Sequence, residues 1–95
     1  MKLVFDEQAA ADLDSIFTWL AQDSVTVADF VINRLYSSAE LLTTFPLMGH
    51  PGRAPGTYQW VVPRLPYVLV YQVDRARDEL IVTAIFHEAQ NREGA

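Results

Sequence analysis

Few residues of this sequence have side chains that could do chemistry. His50 and His87 are the two histidines, and neither stands in the H-x-H or H-E-x-x-H spacing of a zinc site. The absence of cysteine excludes disulfides, thiolate catalysis and cysteine-based metal sites. No G-K-S/T follows the glycines and no G-x-S-x-G occurs, which argues against a phosphate-binding loop or a serine nucleophile. We therefore predict a protein that uses no metal and no cofactor.

Two arginines are candidates for binding an anionic group of a partner. Arg53 falls in a loop rich in proline and glycine, and Arg64 falls in a predicted turn. A guanidinium at either place could hold a phosphate or a carboxylate through two parallel hydrogen bonds. No acidic residue occurs from Met48 to Val73, and we predict that both arginines lie on one rim of the fold. Taken alone, each could equally be a solvated turn residue.

Aromatic residues alternate along two of the predicted strands. Tyr58 and Trp60 share one strand face, as do Tyr67 and Tyr71, and such rings could stack against bases or a partner helix. Cross-strand packing in the core is the alternative, and it is favoured for Tyr71. His87 ends the last predicted strand, where it could act as a general acid or base, or simply pack or cap the strand.

The elements that position these residues follow from periodicity and capping signals. A strand at residues 2–5 precedes a helix that Asp6 caps and that ends near Gln22. Ser24 caps a second helix, from Val25 to about Thr44. The first helix is predicted to bury one face and to leave Asp12 on the solvent side. The predicted buried residues of this helix are Ala9, Ala10, Leu13, Ile16, Phe17 and Leu20.

The second half of the chain is predicted to form three strands after a segment without regular secondary structure. Residues 45–56 contain so much proline and glycine that neither helix nor strand is predicted there. The predicted strands are 57–62, 67–73 and 79–87. Alternation in the last strand puts Leu80, Val82, Ala84 and Phe86 on one face. The links between these strands are too short for crossover helices, so we predict that the three strands run antiparallel. The whole chain is then an α+β domain of order β-α-α-β-β-β, in which a helical hairpin covers one face of the sheet.

The second helix carries more apolar surface than one buried face needs. Its central stripe comprises Ala28, Val31, Ile32, Leu35, Ala39 and Leu42. Val27, Phe30 and Tyr36 extend the apolar surface well around the helix. We therefore predict that these three side chains contact a partner protein.

Composition and charge exclude several classes of protein. Apolar residues make up 51% of the 95 residues, which favours a packed core over disorder, and the length suits one domain over residues 1–95. The net charge is −5 and falls entirely in residues 1–47, so we do not expect direct nucleic-acid binding. No apolar run approaches the roughly 20 residues that span a bilayer, and no signal peptide is evident, so a cytoplasmic protein is predicted.

Four segments of the sequence, taken in order, carry a family resemblance. They are A-A-A-D-L-D-S-I at residues 9–16, M-G-H-P-G-R and then G-T within 48–57, L-P-Y-V-L-V-Y at 65–71, and F-H-E-A-Q at 86–90. Together they resemble the RelE/ParE toxin superfamily, and its ParE-like branch in particular. The resemblance covers nearly the whole chain.

The resemblance implies the toxin of a bacterial type II toxin–antitoxin pair, with a helical hairpin on a small antiparallel sheet. ParE-like members act on DNA gyrase without a clear catalytic set, whereas RelE-like members cut messenger RNA in the ribosome with basic and aromatic side chains. A partly disordered antitoxin silences both kinds. On this basis Val27, Phe30 and Tyr36 are expected to bind a ParD-like antitoxin. The expected target-binding residues are Arg53, Tyr58, Trp60, Arg64, Tyr67 and His87.

The sequence also departs from both branches of the superfamily. Tyr58 and Gln59 stand where ParE-like members usually have Arg-Glu, and Val68 and Ile85 stand where RNA-cutting members tend to carry arginines. Without those cations a ribonuclease could not stabilise the developing phosphate charge, and His87 alone would match. The predicted function is therefore growth inhibition by binding a macromolecule, DNA gyrase, without catalysis. A ribosome-dependent endoribonuclease using His87 and a non-toxic binding module stay open as alternatives.

Overall fold

The computed structural model of the protein describes residues 1–90, and these form two helices and five strands. The elements are β1 (Lys2–Phe5), α1 (Glu7–Ala21), α2 (Val25–Thr44), β2 (His50–Pro51), β3 (Thr57–Val61), β4 (Tyr67–Asp74) and β5 (Glu79–His87), followed by a 3₁₀ turn at Glu88–Gln90. Among these residues no helix is both long and apolar enough to cross a membrane. The predicted α+β class is confirmed, with one strand more than expected.

The strands form one sheet in the order β1-β5-β4-β3-β2. The pairs β3–β4 and β4–β5 are antiparallel, as predicted, and so is the pair β2–β3. β1 runs parallel to β5, with Lys2 opposite Glu79 and Phe5 opposite Val82. Because β1 is so short, it covers only the first part of β5, and within residues 1–90 the second part lies at the edge of the sheet.

Strand β2 corrects the prediction that residues 45–56 contain no strand. His50 pairs with Gln59 and Pro51 pairs with Tyr58, in antiparallel register. Proline lacks the N–H that a central strand needs, but β2 is the outermost strand of the sheet, and proline is tolerated at that position. The segment could therefore add two residues to the sheet despite its composition.

Both helices begin at the predicted caps. The Asp6 side chain accepts a hydrogen bond from the N–H of Ala9 at 2.9 Å, and the Ser24 hydroxyl accepts one from the N–H of Val27 at 3.1 Å. The two helices pack against one face of the sheet. The core between them comprises Ala9, Leu13, Val31, Leu35, Ala39, Leu42, Val62, Tyr67, Leu69, Tyr71, Leu80, Val82 and Ile85.

The buried face of α1 is narrower than predicted. Ala9 and Leu13 are buried, whereas Ala10 is exposed. α1 lies along β5, near the edge of the sheet, so the sheet covers only a thin stripe of the helix.

Strict alternation along β5 also proves wrong. Val70 of β4 pairs with Ala84 and Tyr71 pairs with Val82, so the register shifts at this point and leaves Thr83 as an extra residue. A β-bulge of this kind reverses which side chains face the core. Ile85 is consequently buried with the core cluster, whereas Ala84 is only half-buried.

The loop between α2 and β2 is fixed by one buried hydroxyl. Tyr71 donates a hydrogen bond to the carbonyl oxygen of Pro46 at 2.8 Å and accepts one from the N–H of Gly49 at 3.1 Å. A Cβ at position 49 would lie 2.6 Å from the Tyr71 hydroxyl and 2.7 Å from the Gln59 carbonyl oxygen. The close approach of this loop to the sheet therefore requires glycine at position 49.

Candidate functional site

A groove of about 530 Å³ lies between α1 and the last residues of β5. We call it the α1–β5 groove, and its walls are Asp12, Ser15, Ile16, Trp19, Tyr67, Ile85, Phe86 and His87. The groove exists because β1 pairs with β5 only as far as Val82, while β5 continues to His87. Side chains of α1 therefore reach the edge of β5 where no strand of residues 1–90 covers it.

Asp12 joins the helix to this strand edge. One of its carboxylate oxygens accepts a hydrogen bond from the N–H of Ile85 at 2.9 Å, and the other accepts one from the side-chain amide of Gln8 at 2.8 Å. With both oxygens engaged, Asp12 is placed to hold the helix against the sheet. Its predicted position on the solvent side of α1 is wrong, because the helix sits at the sheet edge and turns its flank toward β5.

Replacing Asp12 by alanine is expected to lower the free energy of unfolding by about 1–3 kcal/mol, because the Ile85 N–H loses a charged acceptor. Urea denaturation gives the change, and hydrogen exchange at the Ile85 amide should show weaker protection. Asp14→Ala is the matched control, since Asp14 is exposed on the same helix. Equal losses for the two variants would contradict the assigned role of Asp12.

Tyr67 and His87 meet at the C-terminal end of the groove. They are cross-strand partners, and their ring centroids lie 5.4 Å apart in an edge-on arrangement. Burial raises the pKa of the Tyr67 hydroxyl. The N–H of Ala89 donates to His87 Nδ1 at 3.0 Å, which places the proton of a neutral imidazole on Nε2. The structure thus brings together two residues that the sequence proposed.

Trp19 forms an outer wall of the groove, and the sequence interpretation missed it. Its side chain is 69% exposed, a large value for a residue type that is highly buried on average. Asp12, Ser15 and Trp19 recur at spacings of three and four, the spacing that places residues on one helix face. That spacing could have identified the groove wall from the sequence.

The two candidate arginines do not share a rim. Arg64 lies in the β3–β4 turn, with a φ of 68°, and the chain enters β4 three residues later at Tyr67. Arg53 lies in the turn between β2 and β3. β3 runs from one turn to the other, and a strand of five residues spans roughly 15 Å. Arg64 is therefore at the same end of the sheet as His87, whereas Arg53 is at the opposite end.

Tyr58 and Trp60 face the core side of the sheet. The Tyr58 ring stacks on Tyr71, with centroids 5.5 Å apart and planes inclined by 22°. Trp60 lies opposite Leu69, and both Tyr58 and Trp60 are half-buried against the core. The indole N–H of Trp60 is buried and has no hydrogen-bond partner within residues 1–90. These rings are thus separated from the groove that holds Tyr67 and His87.

The three apolar side chains assigned to a partner on α2 are exposed, but they do not form one surface. Val27, Phe30 and Tyr36 are 48%, 56% and 43% exposed. Tyr36 lies on the α1 side of α2 and packs edge-on against Phe5, with ring centroids 5.0 Å apart. Phe30 lies on the other flank, where its ring faces the guanidinium of Arg34 at 5.8 Å. A partner that contacts all three must extend around the helix.

Arg34 connects this second flank of α2 to the β3–β4 turn. Its guanidinium donates a hydrogen bond to the carbonyl oxygen of Pro63 at 2.8 Å. Pro63 directly precedes Arg64 in the β3–β4 turn. The contact fixes the turn against α2 and so helps to orient the exposed Arg64.

Comparison with known proteins supports these structural observations. The family model described as the ParE toxin of the type II toxin–antitoxin system parDE matches residues 3–92. Y4kP of Sinorhizobium fredii, a protein named as a toxin, is 29% identical over 75 residues, which cover 79% of this chain and 78% of that protein.

Two solved structures share the fold. The chromosomal ParDE system of P. aeruginosa includes a chain that matches with a TM-score of 0.78 at 22% identity, over 92% of this chain and 95% of that chain. The isolated RelE toxin of E. coli matches with a TM-score of 0.67 at 20% identity, over 90% of this chain and 82% of that chain. The fold, the order of the motifs and the match along residues 3–92 agree, and the chain belongs to the ParE toxin family of type II toxin–antitoxin systems.

Proposed function

We propose that this toxin inhibits growth by binding DNA gyrase and that it does so without cutting RNA. The binding surface in this proposal is the end of the sheet that carries Arg64, Tyr67 and His87. Arg64 is exposed at the tip of its turn and supplies a cation for a carboxylate or phosphate of the target. Tyr67 and His87 supply an aromatic pair beside it.

Two buried aliphatic side chains favour binding over RNA cleavage. Val68 and Ile85 occupy the strand positions where RNA-cutting members of the superfamily tend to carry arginine, and they are only 4% and 3% exposed. Among the described residues, the lining of the α1–β5 groove contains no lysine or arginine, and its one carboxylate there, Asp12, is already engaged. A ribonuclease uses cations beside its acid–base residue to stabilise the charge developing on a phosphate, and the buried aliphatic side chains of Val68 and Ile85 cannot supply them.

An antitoxin is the second partner in this proposal. The solved relatives include a ParDE system and an intact RelBE toxin–antitoxin complex. Val27 and Phe30 on one flank of α2, and Tyr36 on the other, offer apolar surface to an amphipathic segment. Because the two flanks are separate, we infer a ParD-like segment that wraps around α2.

Inhibition of purified gyrase tests the proposal directly. The antitoxin-free protein is expected to block DNA supercoiling, and Arg64→Ala is expected to raise the half-inhibitory concentration about tenfold or more, which corresponds to roughly 1.4 kcal/mol. The melting temperature should change by less than about 2 °C, because Arg64 is exposed. Alanine carries a Cβ as arginine does, so the backbone strain at this positive φ stays the same. Arg77→Ala, an exposed arginine in the β4–β5 turn, is the control and should inhibit like the unaltered protein.

Different outcomes would point to the alternatives. Discrete cuts in a translated messenger RNA that disappear with His87→Ala would identify an endoribonuclease. Harmless expression without antitoxin would identify a non-toxic binding module. Unimpaired supercoiling at high excess of the folded protein would reject gyrase as the target.

A further inference from the structure

A second recess lies at the end of the molecule away from Arg64. It has a volume of about 480 Å³ and is formed by the loop that follows α2, with Phe45, Leu47 and Met48 as its apolar walls and Arg75 at its rim. We call it the apolar recess. Arg75 belongs to the β4–β5 turn, and β4 places that turn at the opposite end of the sheet from Tyr67.

The large apolar side chains that line the apolar recess are unusually exposed to solvent. Phe45, Leu47 and Met48 are 56%, 63% and 37% exposed, and Leu41, one helical turn before Phe45, is 45% exposed. Large apolar side chains that lie together at the surface generally mark an interaction site. None of these residues is needed for the core, whose members lie on the sheet-facing side of α2.

The recess is held in shape by hydrogen bonds. The N–H of Met48 donates to the carbonyl oxygen of Phe45 at 3.0 Å, and the Tyr71 hydroxyl is bonded to both Pro46 and Gly49. A loop fixed in this way loses little conformational entropy when a partner binds. The exposed side chains are therefore presented in a shape that exists before binding.

Charge identifies the kind of partner. Arg75 is the charged residue among the lining residues of the apolar recess, and its exposed guanidinium stands beside an apolar wall. We propose that the apolar recess binds an acidic, amphipathic protein segment, which inserts an apolar side chain between Phe45 and Leu47 and pairs a carboxylate with Arg75. One basic residue in the lining is fewer than the basic cluster by which proteins usually bind anionic membranes, which favours a protein segment. This site is separate from the surface proposed for gyrase.

A labelled peptide tests the site on the full chain. The probe is a short helical peptide with leucine at positions i, i+3, i+4 and i+7 and glutamate on the opposite face, measured by fluorescence anisotropy. Matched peptides replace either glutamate by lysine or leucine by serine. The leucine–glutamate peptide is expected to bind with a Kd below about 100 µM, weakening with added salt, while both matched peptides bind at least tenfold more weakly.

Paired variants locate the binding on the protein. Arg75→Glu and Leu47→Ser are each expected to weaken binding tenfold or more, with unchanged melting temperatures. Arg64→Glu makes the same charge reversal, and Val25→Ser a similar apolar-to-serine change, at exposed positions elsewhere; both are controls and should bind as the unaltered protein does. The proposal is overturned by equal binding of the lysine peptide, by retained binding in both recess variants, or by binding of anionic phosphatidylserine vesicles in place of the peptide. Each of these results is independent of whether gyrase is inhibited.

Discussion

Leu35→Ala is expected to lower the free energy of unfolding by about 2–5 kcal/mol. Leu35 lies in the middle of α2, is fully buried and belongs to the core cluster between the helices and the sheet. The loss combines the transfer free energy of the deleted atoms with the cavity that remains. For a domain of this size, whose total stability is roughly 5–15 kcal/mol, such a change is a large fraction of the whole.

Urea denaturation of the purified protein measures this loss. Leu41→Ala is the matched control, since the same atoms are removed from the same helix at a position that is 45% exposed. We expect the control to change stability by less than about 1 kcal/mol. If both variants lost the same free energy, the assignment of Leu35 to the core would be wrong.

Tyr71→Phe is expected to cost about 1–3 kcal/mol, although it removes a single oxygen atom. That oxygen is the hydrogen-bond partner of Gly49 and Pro46 in the loop after α2. The variant leaves an N–H and a carbonyl group without their partner at a part-buried site. Urea denaturation measures the loss, and hydrogen exchange at the Gly49 amide should become faster. Tyr36→Phe, at a tyrosine that is 43% exposed, is the control and should be nearly neutral.

Tyr71 also makes the free energy of unfolding depend on pH in the alkaline range. Burial raises the pKa of the Tyr71 hydroxyl above the ordinary tyrosine value of about 10, against the opposing effect of the hydrogen bond from Gly49. A raised pKa in the folded state means that the neutral form is favoured by folding. The contribution of the neutral Tyr71 hydroxyl to the free energy of unfolding is therefore complete below about pH 10. It is lost as the pH rises through the pKa that this hydroxyl has in the folded protein. Tyr71→Phe should lack this part of the alkaline decline, and an identical decline in both proteins would contradict the explanation.

Local signals were sufficient to predict the helices. Asp6 and Ser24 cap their helices as expected, because a cap depends on residues only three positions away. The bounds of β5 agree as well, since Glu79–His87 is rich in strand-forming residues and follows directly on a turn. These features are encoded within a few residues of chain, where periodicity and capping act.

Features that depend on distant partners were not predictable in the same way. The bulge at Thr83 arises from the pairing of β5 with β4, and the strand His50–Pro51 forms because β3 offers its free edge. The expected common rim of Arg53 and Arg64 failed because β3 separates their turns, a consequence of sheet topology rather than of sequence distance.

Only part of the candidate site could be predicted from the sequence. Tyr67 and His87 were identified from strand position and chemistry, and cross-strand pairing brings them together. Asp12 and Trp19 were missed, because the helix was interpreted as having one buried face and one solvent face. A helix at a sheet edge has a third kind of surface, its flank, and only the docking of α1 along β5 reveals which residues lie there.

The carboxylate that holds α1 to β5 has a consequence for how copies of the chain behave toward one another. A strand edge with unpaired N–H groups is a template on which a strand from another molecule can add, and repeated addition leads to aggregation. Past Val82 the outer edge of β5 has no neighbouring strand within residues 1–90, and Asp12 occupies the N–H of Ile85 there. The Asp12 side chain thus removes one of the N–H groups with which a strand of another molecule could pair.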